Sequence, residues 1–421
     1  SRSRNDLSLI MTVSCPVPSR VRPFAKTQQA TPLLLKLILG RNLAPTRKEY
    51  DDAVAGLQVG DPLMDAVATW LMQSPKDNRA LFQQALTQGV NSLPDCPPAL
   101  RALFAEVDRT PPWLDRALMA DGLRFIHASG LTALQVMRDL ALMGGYLLSG
   151  FNQALVMTGA LTNGTSQRVA ETGKWWMDCT EVGGLERFGA GVQSTLHVRL
   201  VHAIVRRQLN QREDWDHAQW GVPLNQIDMA ATYLGFSVVM LGGLRKLGIQ
   251  ATPQEARGVM QLWSYACWLM GVDEKWLRFS EAEGMILLNT ALMTQSRADW
   301  TSKALGKALS EEPLLRHFPR LAKYGLEQPM RRFVYQQHLS VSRFFLTRDQ
   351  FDQLGLPADI SAWYPWLTMA PRALTYTAQR LLPRWHQRQV ARGRKAQRAA
   401  IGAVFGKKPQ QLTAIAPGAP T

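Results

Sequence analysis

The chain has 421 residues, a hydrophobic content of 46% and a formal net charge of +15 at pH 7. The composition is ordinary for a soluble globular protein, and the chain is long enough to bury a large core. The cysteines are far apart and show no C-x-x-C spacing, which excludes a zinc site of ordinary pattern and argues against a disulfide framework; they are Cys15, Cys96, Cys179 and Cys267.

The first segment, residues 1–30, is predicted to be a flexible N-terminal extension. No apolar run of signal-peptide quality follows Met11, so no signal peptide is visible and we expect a cytoplasmic protein. The most apolar stretch, roughly Leu140–Leu161, contains Asn152, Gln153 and five glycines or serines. That stretch is too polar for a membrane span and predicts a buried helix or helix pair.

The body of the chain, residues 31–387, carries helical signals throughout. Residues 195–211 run without glycine or proline. Thr252 is a predicted N-cap, with Pro253 at the first helical position and Glu255 completing a capping box. Because no series of alternating strand-like runs is present, the sequence predicts an all-α fold built as one large helical unit.

A basic tail, residues 388–421, follows the predicted body. From Arg384 to the C-terminus there are eight Lys and Arg residues and no Asp or Glu. One interpretation is a solvated, irregular extension. The other is weak peripheral association with an anionic membrane through Arg388, Arg392, Arg394, Lys395 and Arg398. No aromatic-basic recognition motif accompanies the charge, so we expect no nucleic-acid partner.

Several common enzyme motifs are missing from the sequence. It contains no H-E-x-x-H, no G-x-S-x-G, no P-loop and no G-x-G-x-x-G after a strand. These absences exclude most hydrolases, kinases and dinucleotide-binding enzymes. Candidate functional residues are therefore sought among polar side chains inside apolar helices.

The helix predicted around residues 196–207 carries the first such group. Arg199, His202 and Arg206 lie at i, i+3 and i+7, so they share one face of a helix that is otherwise apolar. Burial and two neighbouring guanidinium groups both oppose protonation of the imidazole, and neutral imidazole is the form that binds metals. The alternative is a core histidine that is satisfied by a backbone carbonyl.

The second group lies upstream and comprises Arg168, Glu171 and Thr172, at i, i+3 and i+4. The spacing puts a cation, a carboxylate and a hydroxyl on one helix face, next to Trp175 and Trp176. One interpretation is the edge of an active site. The other is an Arg–Glu pair on a solvated helix face.

Together these segments resemble the MpaB-type oxygenases, the family that includes the latex clearing proteins. The resemblance rests on Arg168-x-x-Glu171-Thr172, on Arg199-Leu200-x-His202-Ala203-x-Val205-Arg206, and on the run GVPLNQIDMAATYLGF at 221–236. It covers roughly residues 100–300. In the rubber-cleaving members a Lys occupies the position that matches Glu171.

The resemblance implies a fold and a chemistry. It implies a helical globule with globin-like packing around a buried haem b, with His202 as the iron ligand and irregular extensions at both ends. Arg199 and Arg206 would pair with the haem propionates. Arg168, Glu171 and Thr172 would be the catalytic residues.

The implied reaction is an oxygenation in which O2 attacks a hydrophobic, unsaturated, isoprenoid-like substrate, as in oxidative cleavage of a C=C bond. The alternative function is a helical protein that binds haem or lipid without turnover.

Overall fold

The structure, a computed structural model, describes residues 17–159, 161 and 165–405, and within that part of the chain it contains helices and no strand. The predicted all-α fold is confirmed. Up to residue 110 the helices are α1 (Phe24–Thr27), α2 (Leu33–Leu39), α3 (Arg47–Gly56), α4 (Pro62–Leu71), α5 (Pro75–Gln88) and α6 (Pro98–Val107).

The central helices carry the two candidate groups. They are α7 (Arg116–Ala128), α8 (Gly130–Val136), α9 (Met143–Gly145), α10 (Ser149–Met157), α11 (Thr165–Cys179), α12 (Ala190–Asn210), α13 (His217–Trp220), α14 (Gln226–Leu234), α15 (Met240–Lys246) and α16 (Pro253–Leu269). Two π-helical turns interrupt this region, Met137–Leu142 between α8 and α9 and Gly235–Val239 between α14 and α15.

The C-terminal helices complete the fold. They are α17 (Glu281–Leu292), α18 (Trp300–Glu311), α19 (Pro319–Ala322), α20 (Glu327–Phe345), α21 (Arg348–Gln353), α22 (Trp363–Arg380) and α23 (Pro383–Phe405). One hydrophobic core includes side chains from Ala53 to Ile401, so helices from both ends of the described chain share it.

Helix α16 is the central element of this core, and it begins where the sequence predicts. Thr252 accepts from the backbone N–H of Glu255, whose carboxylate accepts in turn from the backbone N–H of Thr252, and Pro253 occupies the first turn. The predicted capping box is confirmed. Beyond that turn the helix is buried on nearly every side, as expected for an element that other helices surround.

Helices α7 and α16 cross with their backbones in contact. The contact is made by Gly122 and Gly258, because a Cβ on either glycine would overlap backbone atoms of the other helix. Any side chain larger than hydrogen would separate the two helices.

The N-terminal segment is not a free extension where the structure describes it. From residue 17 the chain lies against the body, and Arg20 is buried, donating to Asp228 Oδ2 (3.0 Å), Gln295 Oε1 (2.7 Å) and the carbonyl of Thr294 (2.8 Å). The predicted extension up to residue 30 is thus attached to the body through Arg20 in its described part, residues 17–30. A buried guanidinium needs such partners, and the sequence does not show them.

The predicted C-terminal boundary at residue 388 falls inside α23, so the helical body extends at least to Phe405. This helix packs on α7, α8 and α11. Gly393 allows its backbone to approach the carbonyl of His127, and Gln397 donates to the carbonyls of Ile126 (2.9 Å) and Gly130 (2.9 Å). The remainder of the predicted tail, 406–421, and the first sixteen residues lie outside the described chain.

One continuous helical segment, Gln226–Lys246, is long and apolar enough to cross a membrane, with a mean hydropathy of 1.5, but 67% of it is buried inside the fold. The helical segments Gly130–Gly145 and Ser149–Met157 meet at an angle of 95°. Only when the two are counted together are they also long and apolar enough to cross a membrane. That pair contains most of the apolar stretch near residue 140, and the predicted helix pair is present there.

Replacing Gly122 by alanine should lower the free energy of unfolding by about 1–3 kcal/mol, because the added methyl group forces α7 away from α16. Urea denaturation of the full chain measures this change. Gly242→Ala is the matched control, since a Cβ at Gly242 meets nothing within 4 Å and alanine there should be neutral or stabilise by up to about 1 kcal/mol. Equal effects of the two substitutions would contradict the close crossing.

Candidate functional site

A cavity of about 1320 Å³ lies among the central helices. It exceeds the range of about 300–1,000 Å³ that is common for small-molecule sites. Both π-helical turns contribute to its wall, through Met137 and Leu140 on one side and Phe236 and Val239 on the other. Such turns displace side chains from the regular helical spacing and often occur at functional sites.

His202 lies on α12 and lines this cavity. Its Nδ1 atom is buried and has no hydrogen-bond partner among the described residues. Burial, together with the positive charge of Arg206, lowers the pKa of His202 to about 4. The imidazole is therefore neutral at physiological pH, as the sequence predicts.

Arg199 and Arg206 of the same helix do not line the cavity. Arg199 pairs with Asp61, with Nε to Oδ2 at 2.6 Å and Nη2 to Oδ1 at 2.8 Å, and donates to the carbonyl of Leu269. Arg206 pairs with Asp65 and donates to the carbonyl of Leu224 (2.9 Å). The structure therefore gives these two guanidinium groups carboxylate partners from the protein itself, in place of the predicted propionates.

The two aspartates come from the start of α4, where Asp61 is the N-cap. The pairs with Arg199 and Arg206 therefore fix α12 against α4 and position His202 at the cavity wall. Asp228, in the first turn of α14, pairs with Arg20. Its neighbour Asn225 caps α14, accepting from the backbone N–H of Asp228.

Helix α11 brings the second predicted group to the same cavity. Arg168, Glu171 and Thr172 all line it, together with His202. Arg168 donates through Nη2 to Thr158 Oγ1 (2.9 Å), and burial lowers its pKa while the charge of Glu171 raises it. Thr172 is exposed and also lines the cavity. Arg168 and His202, which are 34 residues apart in the sequence, therefore line the same cavity.

Glu171 is partly buried and accepts a hydrogen bond from Gln167 Nε2 (2.9 Å) on the preceding turn of α11. Its carboxylate stands on the same helix as Arg168. The cavity wall therefore carries a cation and a proton acceptor near one another, within an otherwise apolar lining. An apolar surrounding strengthens the electrostatic effect of both groups.

His197, five residues before His202, also contributes to the cavity lining. Its Nδ1 lies 3.0 Å from the carbonyl of Gln193, and its ring packs edge-on against Phe82. A spacing of five residues puts the two histidines on different faces of a regular helix, yet both line this large cavity. His197 has a backbone partner, whereas Nδ1 of His202 has none in the described chain.

A buried charge network on the cavity wall was not found from the sequence. His338 Nδ1 lies 2.7 Å from Asp139 Oδ2, and Arg138 bridges Asp139 (2.8 Å) to Glu312 (3.0 Å). Although burial opposes it, a hydrogen bond from Arg316 and the charge of Arg138 lower the pKa of Glu312 to about 2. The adjacent charges of Arg138 and Asp139 inside an apolar run are the sequence signal that could have revealed this network.

Aromatic rings form a further part of the lining. Trp175 and Phe236 both face the cavity, with ring centroids 5.2 Å apart, and each contacts Trp263 behind them. Across residues 17–159, 161 and 165–405, no group of three or more His, Cys, Asp and Glu residues is arranged to hold a metal ion.

Breaking the Arg199–Asp61 pair should destabilise the fold. Asp61→Ala leaves a buried guanidinium without its carboxylate, which costs about 3–5 kcal/mol in the free energy of unfolding. Chemical denaturation measures the loss. Asp214→Ala, which removes an exposed pair with Arg212, should leave the stability at the wild-type value. If Asp61→Ala also left the free energy of unfolding unchanged, the proposed positioning of α12 would be wrong.

Residues 133–399 match the family model described as "ER-bound oxygenase mpaB/B'/Rubber oxygenase, catalytic domain". The chain is also similar to the rubber oxygenase of Streptomyces sp. (strain K30), with 23% identity over 223 residues, which are 52% of this chain and 53% of that protein. The chain thus spans about half the length of this curated relative.

A solved structure titled "Structure of Latex Clearing Protein LCP in the closed state" is similar in fold, with a TM-score of 0.55 and 17% sequence identity; the match covers 81% of this chain and 91% of that chain. The resemblance inferred from the motifs around residues 168, 202 and 221–236 is confirmed, because the family match contains all three. The chain therefore belongs to the MpaB and rubber oxygenase catalytic-domain family.

Proposed function

We propose that this chain is a haem b-dependent oxygenase that uses O2 to cleave a C=C bond in a hydrophobic, isoprenoid-like substrate. One observation carries the proposal: a neutral histidine, His202, whose Nδ1 is buried without a partner, lines a large apolar cavity. A neutral imidazole is the protein ligand that haem iron takes in many oxygen-binding proteins. The name of the Streptomyces relative, a rubber oxygenase, supports the choice of substrate class.

The residues of the cavity fit such a cofactor. His202 would hold the iron, on a helix whose position is fixed by the Arg199–Asp61 and Arg206–Asp65 pairs. Bound haem would supply the activation of O2, and the protein would supply binding, orientation and electrostatics. The aromatic wall of Trp175 and Phe236 would exclude water from this space.

Three residues of α11 would act on the substrate side. Arg168 places a positive charge at the cavity wall, where it would stabilise negative charge that develops during oxygen transfer. Glu171 would accept a proton or orient the substrate, a role that differs from that of a lysine at this position. Thr172 would donate a hydrogen bond. Cleavage of one C=C bond by one O2 yields two carbonyl groups and consumes no external reductant.

Protein purified from haem-replete cells should show a Soret absorption band, and His202→Ala should abolish it, because the iron loses its protein ligand. His197→Ala is the matched control on the same helix, and it should retain the band because that imidazole already has a backbone partner. A colourless wild-type protein, or a band that survives in His202→Ala, would contradict the proposal.

Glu171→Gln should slow O2 consumption with an isoprenoid substrate by about 10²–10⁴-fold, the range typical of lost acid–base catalysis, while the Soret band is unchanged. Oxygen-electrode measurements and assay of the carbonyl products test this. Glu213→Gln, on the exposed surface, should retain the wild-type rate. Bound haem without O2 consumption on any unsaturated substrate would favour the alternative, a non-catalytic haem- or lipid-binding protein.

A further inference from the structure

Large apolar side chains are exposed on α22 and on the segment that follows it. Trp366 is 66% exposed and Leu381, just past the end of α22, is 76% exposed; the others are Leu367 and Leu374 on α22, Leu382 in the turn and Trp385 on α23. Single exposed apolar residues are normal, but six of them between residues 366 and 385 indicate an interaction surface. We call these six residues the apolar stripe.

The charged residues of α22 all lie on its other face. Arg372 donates to the carbonyl of Leu247 (3.0 Å), and Arg380 donates to Glu255 Oε1 (2.8 Å). Tyr376 is buried between the helix and the body. The helix is therefore fixed in place by polar contacts on the inside. The apolar stripe is a stable outer face of the fold and would stay exposed in the isolated chain.

A basic row lies along α23, the helix that follows α22 in the chain. Arg384, Arg388, Arg392 and Lys395 are exposed and lie at i, i+4, i+8 and i+11, which is one side of a helix, and none of them forms an ion pair within the described chain. Arg394 and Arg398 point elsewhere and pair with Glu181. The structure thus separates the basic residues of the predicted tail into a free row and a paired set.

The charge of this region has one sign only. From residue 360 to the C-terminus the sequence contains ten Lys and Arg residues and no Asp or Glu. A second copy of the chain that docked on the stripe about a two-fold axis would bring two identical basic rows together, which is unfavourable. The charge therefore favours an anionic occupant over self-association.

We propose that the apolar stripe and the basic row form a docking surface for an anionic phospholipid bilayer, with α22 lying in the plane of the interface. A helix of 18 residues is about 27 Å long. Trp side chains at both ends of the stripe suit the headgroup level, and leucines between them suit the acyl boundary. The basic row then faces anionic headgroups.

The same helix connects this surface to the cavity, and this step rests on the proposed function. Tyr364 and Arg372, on the inner face of α22, line the cavity that contains His202. The docked helix would therefore form one wall of the cavity while its other side contacts lipid. A substrate dissolved in the bilayer would have a short path into the site, without crossing water.

Sedimentation of the full chain with vesicles tests the surface. Wild-type protein should bind phosphatidylcholine vesicles that contain phosphatidylserine, and Leu374→Glu combined with Leu381→Glu should weaken binding by about tenfold or more, because charges would enter the acyl boundary. Replacing Arg388, Arg392 and Lys395 by glutamine should reduce the preference for anionic over neutral vesicles by a similar factor. Trp300→Glu, at an apolar residue of 63% exposure on α18, is the matched control and should bind as wild type.

Each variant is first checked for an unchanged circular dichroism spectrum and melting temperature, which exposed positions should preserve. Unchanged vesicle binding in the double glutamate variant would overturn the proposal. So would a change from dimer to monomer in that variant with no effect on vesicles, since the stripe would then be an interface between copies. The vesicle measurement needs no substrate. Vesicle binding without oxygenase activity would contradict only the proposed function, and activity on detergent-dispersed substrate without vesicle binding would contradict only the docking surface.

Discussion

The position of α12 depends on two ion pairs, Arg199 with Asp61, in which both side chains are buried, and Arg206 with Asp65, in which only the arginine is buried. A buried pair adds little stability compared with apolar packing, but losing one partner is costly, so it fixes geometry. Here it fixes one helix relative to the start of α4. His202, between the two arginines in sequence, is thereby held at the cavity wall with its imidazole neutral.

The cavity combines an apolar lining with a small number of charges, each held by a defined partner. In the network of His338, Asp139, Arg138, Glu312 and Arg316 each charged group is paired with an opposite charge or with the imidazole, although Nε of Arg138 has no partner in the described chain. Nδ1 of His202 has no such partner in the described chain. This contrast supports the assignment of His202, rather than His338, to the cofactor.

Local features of the fold were predictable from the sequence, and long-range partners were not. The capping box at Thr252 and the cap at Asn225 involve neighbours within three residues, which the sequence displays. Arg199 meets a carboxylate 138 residues away, and Arg20 meets one 208 residues away, which no local pattern records. The buried face of α23 was visible in principle, since its small and buried residues recur four apart, at Gly393, Gln397 and Ile401. Its basic residues led instead to the prediction of a free tail.

A crystal structure of the protein from haem-replete cells would show whether His202 binds iron inside this cavity. We expect planar porphyrin density in the cavity, continuous with the imidazole of His202 and bordered by Arg168 and Glu171. A haem bound through a different residue, or a cavity filled by packed side chains with no room for a porphyrin, would exclude His202 as the iron ligand.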